Sequence, residues 1–347
     1  MQKTNTRLAN FGFQIAAVIL ALGFTTIVLV MAGAPPLEAY KNILLGSFGT
    51  LKKFTDVLVA WVPLVLVTTG LLVTFTAGLW NIGIEGQITL GAIFTTGMMR
   101  LLQDTGLPPT IILILSILAG MVGGALWASV VGALKTYGGV NEIFGGLGMN
   151  FVATALTIYL IFGPWKRPGV GSMSGTEPFQ ESLWLPMFSG FRLSIWAILI
   201  AIIALVIIYF LLQGTYFGLR LKAVGKNMRS SFTLGIPTGR YMMSAFLICG
   251  ALGGLAGAIQ VSGVYHRLIP AISSGYGYLG LLLAMLINYR AIWVIPVALF
   301  FAALNIGSIQ LPIVLKLDSS LSGVLQGALV LSVIIVDGFR QRWLKKS

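Results

Sequence analysis

Long apolar runs separated by short polar breaks dominate the chain. They lie near residues 11–34, 57–76, 82–101, 110–134, 143–162, 193–213, 241–263, 275–288, 291–308 and 320–337. A helix needs about 20 apolar residues to cross a hydrocarbon core, so the pattern predicts an all-α polytopic membrane protein with about 8–10 transmembrane helices. The eighth run is short, and merging the weaker runs gives the lower count. The first run exceeds the roughly 7–15 apolar residues of a signal peptide. Despite the Ala32-Gly33-Ala34 triplet, it reads as an uncleaved first helix.

Composition strengthens this picture. Of 347 residues, 57% are hydrophobic and 9% charged, against roughly 25% charged in a soluble domain. That excludes a single water-soluble core, and residues 1–347 read as one transmembrane domain. Net charge is +13, but the basic clusters lack the interleaved aromatics of a nucleic-acid platform. They orient the spans instead. An even span count puts both termini on one side, and the loops of that side hold thirteen basic residues against nine opposite. Residues 214–240, with five basic and no acidic residues, and the basic tail after Asp337 supply the difference. Both termini are therefore expected in the cytoplasm. Residues 163–192, rich in Pro, Gly and Ser with Trp165 and Trp184 as interfacial anchors, are expected outside.

Two stretches look alike: AGMVGGALWA from Ala119 and CGALGGLAGA from Cys249. Gly120 with Gly124, and Gly250 with Gly254, have the spacing that lets helices approach closely in lipid. Tight packing explains the likeness. The sharper alternative is an inverted internal repeat of residues 57–162 and 241–337, with broken helices at a central site.

Catalytic signatures are missing. The chain has no phosphate-binding loop, no H-E-x-x-H and no G-x-S-x-G, one histidine (His266) and one cysteine (Cys249). No ATPase site, metal site or enzymatic activity of its own is expected. Three polar constellations remain. In LWNIGIEGQITLGA (Leu79–Ala92), Asn81, Glu85 and Gln87 interrupt apolar sequence. Polar groups at membrane depth are costly and face a cavity or a partner. Lining a solute path and a structural role at the helix start both stay open. In VNEIFGGLGMN (Val140–Asn150), Asn141 and Glu142 suit a helix cap, whereas the deeper Asn150 is the better path candidate. Residues 214–240 alternate basic and apolar positions through Met228 and break at Gly235-Ile236-Pro237, as in a short amphipathic helix pressed against a partner.

Together these stretches resemble the permease subunits of ATP-binding-cassette importers for ribose-type sugars, branched-chain amino acids and nucleosides. NIGIEGQ (Asn81–Gln87) is similar to the hallmark of the nucleoside branch served by basic-membrane-protein lipoproteins, and the order of elements matches from about residue 57 to 340. The resemblance implies that residues 214–240 form the coupling loop that docks into an ATPase subunit. Gly218, Arg220, Ala223, Gly225, Asn227 and Gly235 fit its pattern, while Lys222 stands for an arginine and Ser230-Ser231 for alanines. Ile287-Asn288-Tyr289-Arg290 replaces the usual glycine and Gly-Pro turn. In such a permease the polar groups at membrane depth, Asn81, Glu85, Gln87 and Asn150, are the expected substrate path. The implied partners are cytoplasmic ATP-binding subunits carrying ATP and Mg, a second permease, like or unlike, and an extracytoplasmic substrate-binding lipoprotein. No cofactor is expected on this chain, and its place is a prokaryotic inner membrane. The expected solute is a nucleoside. The rivals are a simple sugar or branched-chain amino acid, an ion-coupled secondary carrier relying on Glu85, and a non-transporting scaffold.

Overall fold

The computed structural model describes residues 19–20, 22–169 and 175–316, and within 321–336 residues 321, 323–328, 331–332 and 335–336. Lys3, Arg7 and the basic tail, which weighed in the orientation, lie outside the described residues. Among the described residues every regular element is helical, as the apolar runs predicted. Contacts divide the chain into two units, one of residues 1–57 and 299–347, the other of residues 58–298.

In the first unit, α1 (Leu22–Met31) and α2 (Pro36–Phe48) meet at 110°. Pro36 opens α2 where its missing N–H costs nothing. The Tyr40 hydroxyl lies 2.5 Å from Thr25 Oγ1 and 3.1 Å from Thr26 Oγ1, closing the bend. Leu29, Ala39 and Ile43 pack with Leu311 and Leu325. Ser47 Oγ donates to the Ala303 carbonyl at 2.6 Å. Leu311 belongs to α13 (Gln310–Leu315), which packs against α2.

The second unit takes in most of α3 (Leu51–Thr76), then α4 (Ile84–Leu102), α5 (Pro109–Thr136), α6 (Glu142–Phe162) and α7 (Ile195–Gly214). It continues through α8 (Tyr216–Lys226), α9 (Met228–Thr233), α10 (Thr238–Ile259) and α11 (Tyr276–Leu286) to the start of α12 (Val294–Ser308). A π-turn from Gln260 to Tyr265 extends α10. The core is a triple contact of α4, α5 and α10 made through glycine. Gly124 faces the Gly250 carbonyl, Gly254 faces Gly120 and Gly91, and Gly257 lies on the Ile88 carbonyl. A methyl group at any of these positions meets backbone. Gly120 lies beside Ala258 and Gly132 beside Phe246, so α5 runs antiparallel to α10. The two look-alike stretches thus pack against each other, where close backbone approach and dispersion hold helices together.

Among the described residues six helical segments are long and apolar enough to cross a membrane, or seven if α1 and α2 count as one broken span. The difference from eight to ten rests on α4, on α11 and on the run at 320–337, which lies largely outside the described residues. Polar residues interrupt α4, while α11 has 11 residues, about 16 Å of rise and roughly half a hydrocarbon core. The most apolar window of α3 is 89% buried against 28% for α7. Nearly all of α3 is therefore interior, and α7 is peripheral.

Candidate functional site

The start of α4 is built from irregular backbone. Residues 77–83 leave α3 through Gly78, whose φ of +74° suits glycine, and Gly83 caps α4 without a side chain. The first turn of a helix leaves N–H groups unsatisfied, and Asn150 of α6 meets this need. Its Oδ1 accepts the Gly86 N–H at 2.8 Å, and its Nδ2 donates to the Ile82 carbonyl at 3.0 Å. Asn81 and Gln87 pair their carboxamides reciprocally, at 3.1 and 3.0 Å. Asn81 Nδ2 also lies 3.1 Å from Cys249 Sγ on α10. Both side chains are buried.

Glu85 faces the other way. Its Oε1 accepts the backbone N–H groups of Gly277 at 2.9 Å and Tyr278 at 3.2 Å. These open α11, whose own N-cap residue, Gly275, supplies no side chain. A carboxylate from one helix thus caps the N-terminus of another, satisfying orphan donors and complementing the helix dipole. The structure brings Asn81, Glu85, Gln87 and Asn150 together at one place, binding α4, α6, α10 and α11 around the α4 start. Their polar atoms engage one another and the backbone.

Asn141 caps α6 as expected, its Oδ1 accepting the Ile143 N–H at 2.9 Å. Glu142 pairs with Lys135 at 2.6 Å and accepts the Trp80 N–H at 3.4 Å. It ties the α5–α6 turn to the segment before α4. Sequence reasoning missed the capping of α11 by Glu85, whose partners lie far along the chain. It also missed Trp127, whose buried indole N–H lacks a hydrogen-bond partner and lies against Gly86.

Residues 214–240 fold as two short helices rather than one. Thr215 caps α8 by accepting the Gly218 N–H at 3.2 Å, and Asn227 caps α9 by accepting the Ser230 N–H at 3.0 Å. Gly218 lies on the Leu211 and Leu212 carbonyls, and Gly225 on the Thr76 carbonyl and Gly78. Gly235 takes a φ of +80° at the exit. Leu221 and Val224 are buried, whereas Leu219, Phe232 and Leu234 are exposed beside Arg220 and Lys226. Ala223 is half-buried. Arg220 Nη1 donates to the Tyr241 hydroxyl at 3.3 Å, and Lys222 Nζ to Gln213 Oε1 at 2.8 Å. Through Gly225 and Gly78, α8 rests directly on the segment leading to Asn81.

At the far end of α10, residues 176–185 dock on residues 262–268. The N–H groups of Thr176, Phe179 and Leu185 donate to the carbonyls of Leu268, His266 and Ser262, each at 2.9 Å. Trp184 stacks on the His266 ring with centroids 3.7 Å apart. Burial lowers the His266 pKa, and the Arg192 charge adds to that shift. Among the described residues no group of three His, Cys, Asp or Glu side chains could hold a metal ion.

A family model described as "Branched-chain amino acid transport system / permease component" matches residues 53–334. A glucose ABC transporter permease protein of Haloferax volcanii is 29% identical over 95% of this chain and 89% of its own length. A guanosine ABC transporter permease protein of Bacillus subtilis is 28% identical over 94% of each. A nucleoside ABC transporter permease protein of Lactococcus lactis is 26% identical over 86% of this chain and 81% of its own.

Proposed function

The chain belongs to the family of branched-chain amino acid transport system permease components, and we propose that it is the membrane-spanning subunit of an ATP-driven nucleoside importer. It is a multi-pass membrane protein. The nucleoside assignment draws on NIGIEGQ and on the guanosine and nucleoside permeases matched over most of their length. The glucose permease relative keeps a simple sugar as the second reading.

The observation that carries the coupling role is the seat of α8. The loop of residues 214–240 exposes Arg220, Phe232 and Leu234 to a partner, while Gly225 touches Gly78, three residues before Asn81. In this proposal the partner is a cytoplasmic ATPase subunit that carries the ATP and Mg. A second permease completes the path, and an outer lipoprotein delivers solute. Both termini and residues 214–240 lie in the cytoplasm. Force on α8 then reaches the α3–α4 connection through backbone contact.

Asn81, Glu85, Gln87 and Asn150 hold α4 and α11 in the described arrangement. They exchange those hydrogen bonds for solute in another state, since desolvating a nucleoside without replacement partners is costly. ATP shifts the equilibrium only through its different affinity for the two states. Proteoliposomes carrying the chain with its co-purified ATPase test the reading. Labelled guanosine should enter only with ATP, and unlabelled glucose should not compete. Competition by glucose but not by nucleosides moves the assignment to sugar.

A further inference from the structure

We propose that the cavity where α3, α7 and α8 end binds a phosphate-bearing anion, with an anionic lipid headgroup as the favoured source. The cavity has a volume of about 330 Å³, within the size range of small-molecule sites. Lys222 and Lys226 reach it from one face of α8, four residues apart. Gln213, Tyr209 and Tyr289 add further polar groups, and among the described residues no carboxylate lines it. Gln213 Oε1 holds the Lys222 ammonium at 2.8 Å, fixing one cation at the wall.

Phe75 and Tyr289 form an aromatic wall, with ring centroids 5.1 Å apart. Tyr289 reaches that place because Asn288 and Tyr289 both take positive φ, 49° and 60°. Two ammonium groups beside hydroxyl donors suit a phosphate, which accepts several charge-assisted hydrogen bonds. The lipid source is favoured by what continues from the cavity. Peripheral α7 leads away from it with Ile203, Ile207 and Phe210 exposed, an apolar track for acyl chains. Basic residues beside a membrane attract anionic headgroups in this way. The site is independent of which solute crosses the membrane.

Native mass spectrometry of the detergent-purified full chain tests this, with phosphatidylglycerol or phosphatidylcholine added in turn. The chain should retain phosphatidylglycerol selectively. Lys222→Gln with Lys226→Gln should lower retention about tenfold or more, because two charge-assisted contacts are lost. Lys222→Arg with Lys226→Arg should keep it, and Lys226→Gln alone, at an exposed position, should give a partial loss even if the double change disturbs folding. Displacement of phosphatidylglycerol by millimolar glycerol phosphate or inorganic phosphate supports the phosphate site but makes its source a soluble compound. Equal retention of both lipids, or full retention in the folded double-glutamine variant, overturns the proposal. Zero-length cross-linking of Lys222 and Lys226 to an ATPase subunit in the intact complex overturns it too, since protein carboxylates then occupy the lysines.

Discussion

Glu85→Ala should destabilise the protein more than Glu85→Gln, and the geometry sets the sizes. Glu85 Oε1 receives two backbone N–H groups at the start of α11, at 2.9 and 3.2 Å. Alanine leaves both donors without an acceptor. An unsatisfied buried donor costs about 1–3 kcal/mol, so the pair costs roughly 2–6 kcal/mol. Glutamine can present an oxygen to the same two donors and loses only the charge assistance, about 1 kcal/mol per bond. The assay is denaturant or thermal unfolding of the purified chain in detergent, followed by near-UV circular dichroism, with uptake measured beside it. An alanine variant as stable as the parent would show that Glu85 does not hold α11. A glutamine variant with full stability and no uptake would instead assign the carboxylate's ionisation to transport, as an ion-coupled carrier requires.

Other perturbations address other parts of the molecule. Gly254→Ala places a methyl group against the Gly120 carbonyl and should cost about 1–3 kcal/mol by overpacking; unchanged unfolding would contradict the glycine-mediated contact of α5 and α10. Gly225→Ala with Asn227→Ala pushes α8 off the Thr76 carbonyl and removes the α9 cap, itself worth about 1 kcal/mol. ATP hydrolysis should persist while uptake falls, and normal uptake would sink the coupling assignment. His266 has a folded pKa below its ordinary 6.5, so the unfolded or undocked state binds the proton more tightly. Its contribution is fully present above pH 6.5 and fades as pH falls toward the folded value. The protection of the Thr176, Phe179 and Leu185 amides, taken relative to their intrinsic exchange rate at each pH, should therefore fall as pH drops from 7.5 to 5.5, and His266→Gln should flatten that dependence.

Much of the architecture was legible because helix propensity and apolar periodicity are local. The runs at 57–76, 110–134 and 241–263 became α3, α5 and α10, and the Gly120/Gly124 and Gly250/Gly254 spacings announced a close helix contact. Asn141 as a cap followed from its place before an apolar run. What stayed hidden depends on partners distant in sequence. Glu85 meets Gly277 across 192 positions, and residues 176–185 find residues 262–268 only after folding. The break between α1 and α2 turns on Pro35 and Pro36, which the pattern read as a simple end of the first run. The division of residues 214–240 into α8 and α9 comes from Asn227, whose side chain caps the second helix instead of continuing the first.

The most direct test of the importer is uptake of labelled guanosine into proteoliposomes containing the chain and the ATPase subunits that co-purify with it, with ATP present or absent and with vanadate or an uncoupler added. An ATP-driven nucleoside importer gives uptake that requires ATP, stops with vanadate and ignores the uncoupler. Uptake that proceeds without ATP and collapses with the uncoupler would contradict it and make the chain an ion-coupled carrier.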